Sequence, residues 1–72
     1  MPVTREQWKE VGEQIRNIRE KKNLTQEQVA FGTGITASYF ARIERGMEKP
    51  LMDTLKSITS TLGIKIADII LF

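Results

Sequence analysis

Hydrophobic residues in the first third of the chain recur at spacings of three and four positions, as on one side of an α-helix. They are Trp8, Val11, Ile15 and Ile18. Thr4 and Gln7 precede this run in the form of a capping box, which satisfies N–H groups at a helix start. A lysine pair suits the negative end of the helix dipole, and Asn23 is suited to a left-handed stop. The pattern predicts a first helix from about Arg5 to Lys22.

A second capping box, formed by Thr25 and Gln28, begins the short stretch QEQVAFG. This stretch predicts a second helix whose aliphatic residues face inward. Gly34 is expected to end it, because glycine adopts the left-handed conformation of a helix stop without strain. Gly32 lowers the local helix propensity by about 1 kcal/mol relative to alanine, which favours an earlier end.

The stretch GITASYFARIERG at positions 34–46 predicts a third helix with two different faces. Thr36 is suited to the N-cap, and Gly46 is expected to close the helix. At 100° per residue Phe40 and Ile43 fall close together, so this side is expected to pack. The opposite side carries Ser38, Ala41, Arg42 and Arg45. Two short helices joined by a tight glycine-containing turn form a helix-turn-helix arrangement.

The last third of the chain predicts a fourth helix and a short fifth one. Pro50 resists helix continuation before it, and Gly63 is expected to end the fourth helix. Between them Leu55, Ile58 and Leu62 lie on one face. Leu51 and Lys65 cannot cap, so the boundaries there are the least defined. The tail IKIADIILF favours a last short helix over a buried strand, because no other strand is predicted to pair with it.

Composition indicates one globular domain over residues 1–72, with 40% hydrophobic and 28% charged residues. The formal net charge of +2 permits a polyanionic partner without requiring one. No apolar run is as long as the roughly 18 residues of a membrane span, so we expect a cytoplasmic protein without a membrane partner.

The residue types present argue against an enzyme. The chain has neither cysteine nor histidine, which excludes disulfides, thiolate nucleophiles, imidazole bases and ordinary zinc sites. The glycines of GTG at positions 32–34 lack the lysine and hydroxyl residue of a phosphate-binding loop. No cofactor and no small-molecule ligand are expected.

Several separate features of the chain together resemble the Xre/Cro-like helix-turn-helix family, which has the lambda-repressor-like DNA-binding fold. The resemblance rests on IREKKNLTQEQVAFGTGITASYFARIERG, followed by Pro50, Leu55, Ile58 and the Leu-Gly pair at positions 62–63. It covers roughly residues 11–70. It implies an all-α fold of five helices, with the third helix in the DNA major groove and the second across the phosphate backbone.

The resemblance also implies roles for individual residues in a sequence-specific regulator of transcription. The base-facing candidates are Ala37, Ser38, Ala41 and Arg42. The phosphate-facing candidates are Gln26, Thr36, Tyr39, Arg45, Lys49 and Arg16. Arg42 is favoured as the main reader, since a guanidinium donates two hydrogen bonds to guanine O6 and N7. Arg19 and Glu44 match two family positions that form an ion pair between helices 1 and 3. For Gln26 and Arg42 the alternative is an ordinary solvated side chain, and at Arg16 a solvated face is favoured over a phosphate contact.

The tail contains more apolar surface than one buried stripe uses, which favours a homodimer. The candidate interface residues are Leu51, Met52, Ile66, Ile69, Ile70, Leu71 and Phe72. Alternatively, the tail only closes the base of the domain. Double-stranded DNA and a second copy of the chain are thus the expected partners, with RNA polymerase as a further one.

Two classes of function compete at this point. The chain resembles small controller proteins of restriction-modification systems and phage-type repressors, which bind DNA. An antitoxin or adaptor that uses the same fold to bind a protein is the alternative, favoured by the weak net charge and the apolar tail. DNA binding weakens steeply with salt, whereas an apolar protein interface is far less sensitive.

Overall fold

The computed structural model describes residues 2–70 and 72, which form an all-α arrangement around one core. Its elements are α1 (Arg5–Lys21), α2 (Gln26–Thr33), α3 (Ala37–Glu44), α4 (Met52–Leu62) and a single 3₁₀ turn, η1 (Ile66–Asp68). The sequence therefore predicted the first helix to within one residue at its C-terminal end.

Local side-chain chemistry sets the helix starts. The Thr4 hydroxyl accepts from the Gln7 N–H at 3.1 Å, and the Gln7 side chain accepts from the Thr4 N–H at 2.9 Å. Thr25 and Gln28 repeat this reciprocal arrangement at 3.0 and 2.7 Å. Thr36 caps α3 by accepting from the Tyr39 N–H at 3.0 Å. The predicted capping residues are confirmed at all three helices.

Left-handed residues end the helices where the sequence predicted them. Asn23 has φ 58° after α1, Gly34 has φ 82° after α2, and Gly63 has φ 71° after α4. Pro50 lies buried in the loop before α4, whose N-cap Leu51 makes no side-chain hydrogen bond. The predicted lack of a side-chain cap at Leu51 is confirmed.

The prediction of five helices is wrong, since residues 2–70 and 72 contain four α-helices and one 3₁₀ turn. The Lys65 N–H donates to the Asp68 carboxylate at 2.8 Å, and the Asp68 N–H donates to the Lys65 carbonyl at 2.9 Å. These bonds close one turn, after which Ile69 enters the core with 1% exposure. The turn therefore delivers one fully buried side chain, with Ile66 and Ile70 packed partly against the core, and a longer helix is not needed to bury it.

The prediction that Gly32 ends α2 early is also wrong, because the helix continues to Thr33. Gly32 lies against Thr61 of α4, where an added Cβ would come within 2.7 Å of the threonine methyl carbon. Packing between α2 and α4 thus outweighs the low helix propensity of glycine at this position.

The core joins all four helices and the 3₁₀ turn. Its fully buried large side chains are Val11, Ile15, Val29, Phe40, Ile43, Leu55, Ile58 and Ile69. Helix α3 packs between α1 and α2, while α4 covers the other side of α2. The inward side chains Phe40 and Ile43 fix the rotation of α3 about its own axis, so its opposite face points away from the protein.

Candidate nucleic-acid interface

The outward face of α3 carries the residues that sequence reasoning assigned to base contacts. Phe40, Ile43 and Glu44 are buried on the inner side of this helix. Ser38 on the opposite side is exposed, and Arg42 is half-buried one turn later. Ala37 and Ala41 are half-buried at the edge of this face, where their small side chains leave room for another molecule to approach.

A buried ion pair fixes α3 against α1. The Arg19 Nε donates to Glu44 Oε2 at 2.7 Å, and Arg19 Nη2 donates to Glu44 Oε1 at 3.2 Å. The Arg19 Nη1 also donates to the Leu24 carbonyl at 2.8 Å. Hydrogen bonding to Glu44 raises the pKa of the Arg19 guanidinium, although burial acts in the opposite direction. The Arg19 guanidinium therefore keeps its positive charge in the folded protein near neutral pH.

Gln26 connects the same ion pair to the start of α2. Its Nε2 donates to Glu44 Oε1 at 2.8 Å, a contact that the sequence did not predict. One of the two side-chain N–H donors of Gln26 is thus already hydrogen-bonded within the protein. The backbone N–H groups of Gln26 and Glu27 lie in the first helical turn and have no intrahelical acceptor. A phosphate at this helix start would be bound by backbone donors, with Gln26 held beside them.

Two open recesses lie beside the outward face of α3, and each is lined by basic side chains together with at least one carboxylate. The first lies between α1, α2 and α3 and is lined by Arg16, Gln26, Ala41 and Arg45, among others. Arg16 also contacts Glu20 at 3.4 Å, but both side chains are exposed, and such pairs contribute little to stability. Arg16 therefore remains available to a phosphate.

The second recess extends this basic surface to the start of α1. Arg5, Lys9, Arg45 and Lys49 line it together with residues 46–48. Arg5 and Lys9 were missed at the sequence level, although two cations four positions apart on a helix share one face and were a usable signal. Their position beside Arg45 and Lys49, however, depends on the packing of α1 against the loop after α3.

The guanidinium of Arg42 is held by neighbours on and after α3. Its Nε donates to Glu48 Oε2 at 2.9 Å, and its Nη1 donates to Ser38 Oγ at 3.2 Å. The ring of half-buried Tyr39 lies beneath it, with 5.8 Å between the ring centre and the guanidinium carbon. Thr36 is exposed at the start of the helix. The structure thus brings Thr36, Ser38, Tyr39 and Arg42 onto one accessible surface.

The candidate dimer residues that the structure describes divide into three groups by exposure. Leu51, Met52 and Phe72 are 76%, 50% and 50% exposed, while Ile66 and Ile70 are half-buried. Ile69 is 1% exposed and packs in the core, which removes it from the candidate interface. Leu71 lies outside the described residues.

The residues that the structure describes contain neither a metal-binding group nor a membrane-spanning helix. Among residues 2–70 and 72, acidic side chains form no group of three that could hold a metal ion. The helices described by the structure are all too short or too polar to cross a membrane.

Comparison with known proteins gives a single family. The model of the helix-turn-helix family HTH_3 matches residues 15–69. The immunity repressor protein of Bacillus phage phi105 is 38% identical over 60 residues, which cover 83% of this chain and 42% of that protein. The control protein C.BamHI of Bacillus amyloliquefaciens is 34% identical over 62 residues, which cover 85% of this chain and 76% of that protein. The chain therefore spans less than half the length of the phage relative.

Solved structures show the same architecture. The restriction-modification controller protein C.AhdI from Aeromonas hydrophila superposes with a TM-score of 0.84 at 27% identity. The matched region covers 86% of this chain and 94% of the controller protein. The fold is thus shared over nearly the full length of that protein.

Proposed function

Because the chain belongs to the helix-turn-helix family HTH_3, we propose that it is a sequence-specific DNA-binding regulator of transcription. The observation that carries this proposal is the outward face of α3. Core packing and the buried Arg19–Glu44 pair hold this face rigidly, while cationic recesses lie beside it. A rigid helix between phosphate-binding sites is the geometry that inserts side chains into a major groove.

Arg42 and Ser38 are the proposed polar readers of base edges. Arg42 presents N–H groups that match the O6 and N7 acceptors of guanine, and Ser38 donates or accepts with less selectivity. Ala37 and Ala41 would allow close approach of the helix and touch thymine methyl groups.

Phosphate groups on either side of the groove would be bound by the two recesses. The first recess offers the α2 start and Arg16, and Arg45 borders both recesses. Lys49, Arg5 and Lys9 extend the binding surface along the second recess. Thr36 and Tyr39 lie close enough to the reading residues to contact the backbone at the groove edge.

Replacing Arg42 with alanine is expected to abolish most of the site preference and to leave the fold intact. Loss of a bidentate guanine contact costs about 1–3 kcal/mol of discrimination, which is roughly 5-fold to 150-fold in the ratio of specific to non-specific Kd. The ratio is measured by titrating the preferred site and a scrambled duplex at one salt concentration. Arg16→Ala is the control, since it should weaken both duplexes by similar factors. Unchanged selectivity in Arg42→Ala would show that another residue reads the site.

Replacing both Arg45 and Lys49 with glutamine is expected to reduce the salt dependence of binding. The slope of log K against log salt is negative, and each lost phosphate contact reduces its magnitude by about 0.9. The matched control replaces Lys56 and Lys65, which are exposed and line neither recess. A slope that falls equally in both double variants would contradict the proposed phosphate surface.

We further propose that two copies of the chain bind one two-fold symmetric operator. Leu51 and Met52 at the start of α4, with Phe72 and the half-buried Ile66 and Ile70, present apolar surface that a second copy would cover. Dimers of helix-turn-helix domains place their reading helices about 34 Å apart, one turn of DNA. A contact with RNA polymerase stays a prediction from the resemblance.

A further inference from the structure

We propose that Glu48 is a positioning residue that sets the selectivity of the DNA-reading arginine, Arg42. The inference rests on the proposed function and assigns a role to an acidic residue inside a basic surface. Glu48 lines the second recess among four cations, yet its carboxylate contacts Arg42 on the reading face. A carboxylate there repels DNA phosphates, so its position calls for a physical reason.

The chain turn after α3 brings Glu48 back to Arg42. Gly46 adopts φ 73° and its N–H donates to the Ile43 carbonyl at 3.0 Å. The Met47 N–H donates to the Arg42 carbonyl at 2.9 Å. These two bonds form a Schellman turn, which reverses the chain direction at the helix end. Glu48 thus reaches a side chain that precedes it by six residues.

The hydrogen bonds of Arg42 leave the base-reading edge of its guanidinium available. A guanidinium has five N–H donors. Glu48 accepts from Nε, and Ser38 accepts one hydrogen from Nη1. The remaining donors belong to Nη1 and Nη2, the two terminal nitrogens. Together these nitrogens can still make a paired contact with guanine O6 and N7.

Orientation of Arg42 before DNA binds lowers the entropy cost of the contact. An arginine side chain has large rotamer freedom, and immobilising such a side chain at an interface costs entropy when it is free beforehand. Contacts to Glu48, Ser38 and the Tyr39 ring restrict it in the free protein. The restricted side chain also contacts a wrong base less easily, because it cannot move to a substitute acceptor.

A stabilising role alone does not explain the Arg42–Glu48 pair. The two side chains remain 40% and 32% exposed, and pairs in such surroundings contribute little to the free energy of unfolding. The expected effect of Glu48 therefore lies in DNA selectivity. Removal of its charge is expected to lower selectivity without lowering the affinity for random DNA.

The test compares Glu48→Ala with Glu13→Ala, which removes the same charge from an exposed position on α1 that lines neither basic recess. Kd is measured for the preferred duplex and for the same duplex with the guanine pair assigned to Arg42 replaced. The selectivity is the Kd for the altered duplex divided by the Kd for the preferred duplex. Glu48→Ala is expected to reduce this ratio roughly threefold to tenfold, which is part of the discrimination that a bidentate arginine supplies. Glu48→Gln keeps an acceptor near Nε and should retain more of the ratio.

Two further measurements separate positioning from other roles. The Arg42 Nε–H resonance in a ¹⁵N NMR spectrum should be protected from exchange in the wild-type protein and lose protection in Glu48→Ala. In an Arg42→Ala background, adding Glu48→Ala should leave the Kd ratio unchanged, since the two residues would act through one contact.

An unchanged ratio in Glu48→Ala, with the wild-type chain still selecting its site, would overturn this inference and leave the proposed function standing. A higher ratio would also overturn it, because Glu48 would then compete with DNA for Arg42. A wild-type chain that shows no selectivity would instead contradict the proposed function itself.

Discussion

Replacing Glu44 with alanine is expected to lower the free energy of unfolding by about 3–5 kcal/mol, the cost of leaving a buried charge without its partner. Glu44 is 5% exposed and accepts hydrogen bonds from Arg19 and Gln26. Without this carboxylate, the buried guanidinium of Arg19 keeps its hydrogen bond to the Leu24 carbonyl, and the Glu20 carboxylate lies 4.0 Å away.

A loss of this size is large for a chain of 72 residues. Small domains have a total free energy of unfolding of about 0.05–0.15 kcal/mol per residue. Chemical denaturation followed by circular dichroism measures the change. Glu20→Ala is the matched control: this exposed carboxylate is 4.0 Å from the same arginine, and its loss should cost less than about 1 kcal/mol. A denaturant midpoint of Glu44→Ala equal to that of the wild-type protein would contradict the structural role of the pair.

Replacing Gly12 with alanine is the second change with a large expected effect. We expect it to destabilise the protein, although helix propensity alone favours alanine. Alanine favours a helix interior over glycine by about 1 kcal/mol. At Gly12, however, an added Cβ would meet the Glu44 carbonyl oxygen and would lie 2.5 Å from the Ile43 carbonyl oxygen. Both atoms belong to the backbone of α3, so relief requires α1 and α3 to move apart. Overpacking of this kind destabilises by about 1–3 kcal/mol.

The same displacement would alter the position of α3 relative to the basic recesses. The melting temperature and the DNA affinity are therefore measured together, and both should decrease in Gly12→Ala. Asn17→Ala is the control on the same helix, because this exposed residue should gain a few tenths of a kcal/mol from helix propensity alone. If Gly12→Ala melted at or above the wild-type temperature, the close contact between α1 and α3 would not determine their spacing.

Features governed by neighbours in the sequence could be predicted from the residues alone. Thr4, Thr25 and Thr36 cap helices because the N–H groups that they bind lie three residues ahead. Gly34 and Gly63 end helices because few other residues adopt positive φ without strain. The faces of α3 also followed from residue spacing, since Phe40 and Ile43 pack on the same side.

Features governed by the approach of distant elements could not be predicted in this way. Ile66, Ile69 and Ile70 have a spacing that fits a single 3₁₀ turn as well as a helix, and the tertiary environment of Ile69 decides between them. Gly12 looks like an ordinary weak helix residue until α3 is placed beside it. The pairing of Arg19 with Glu44 came from the family resemblance rather than from the pattern.

Parts of the candidate site were missed for the same reason. Gln26 and Glu44 are 18 positions apart, and Arg42 meets Glu48 only because the chain reverses at Gly46. Sequence patterns therefore gave the outward face of α3, while its supporting contacts required the packed structure.

Selection of bound sequences from a random pool of double-stranded DNA tests the central claim most directly. Wild-type protein at near-physiological salt is expected to enrich one motif with two-fold symmetry, whose half-sites are centred about one helical turn apart. Each half-site should contain a guanine that Arg42→Ala no longer selects. A pool that remains random after repeated rounds, from protein that is folded, would contradict sequence-specific DNA binding by this chain.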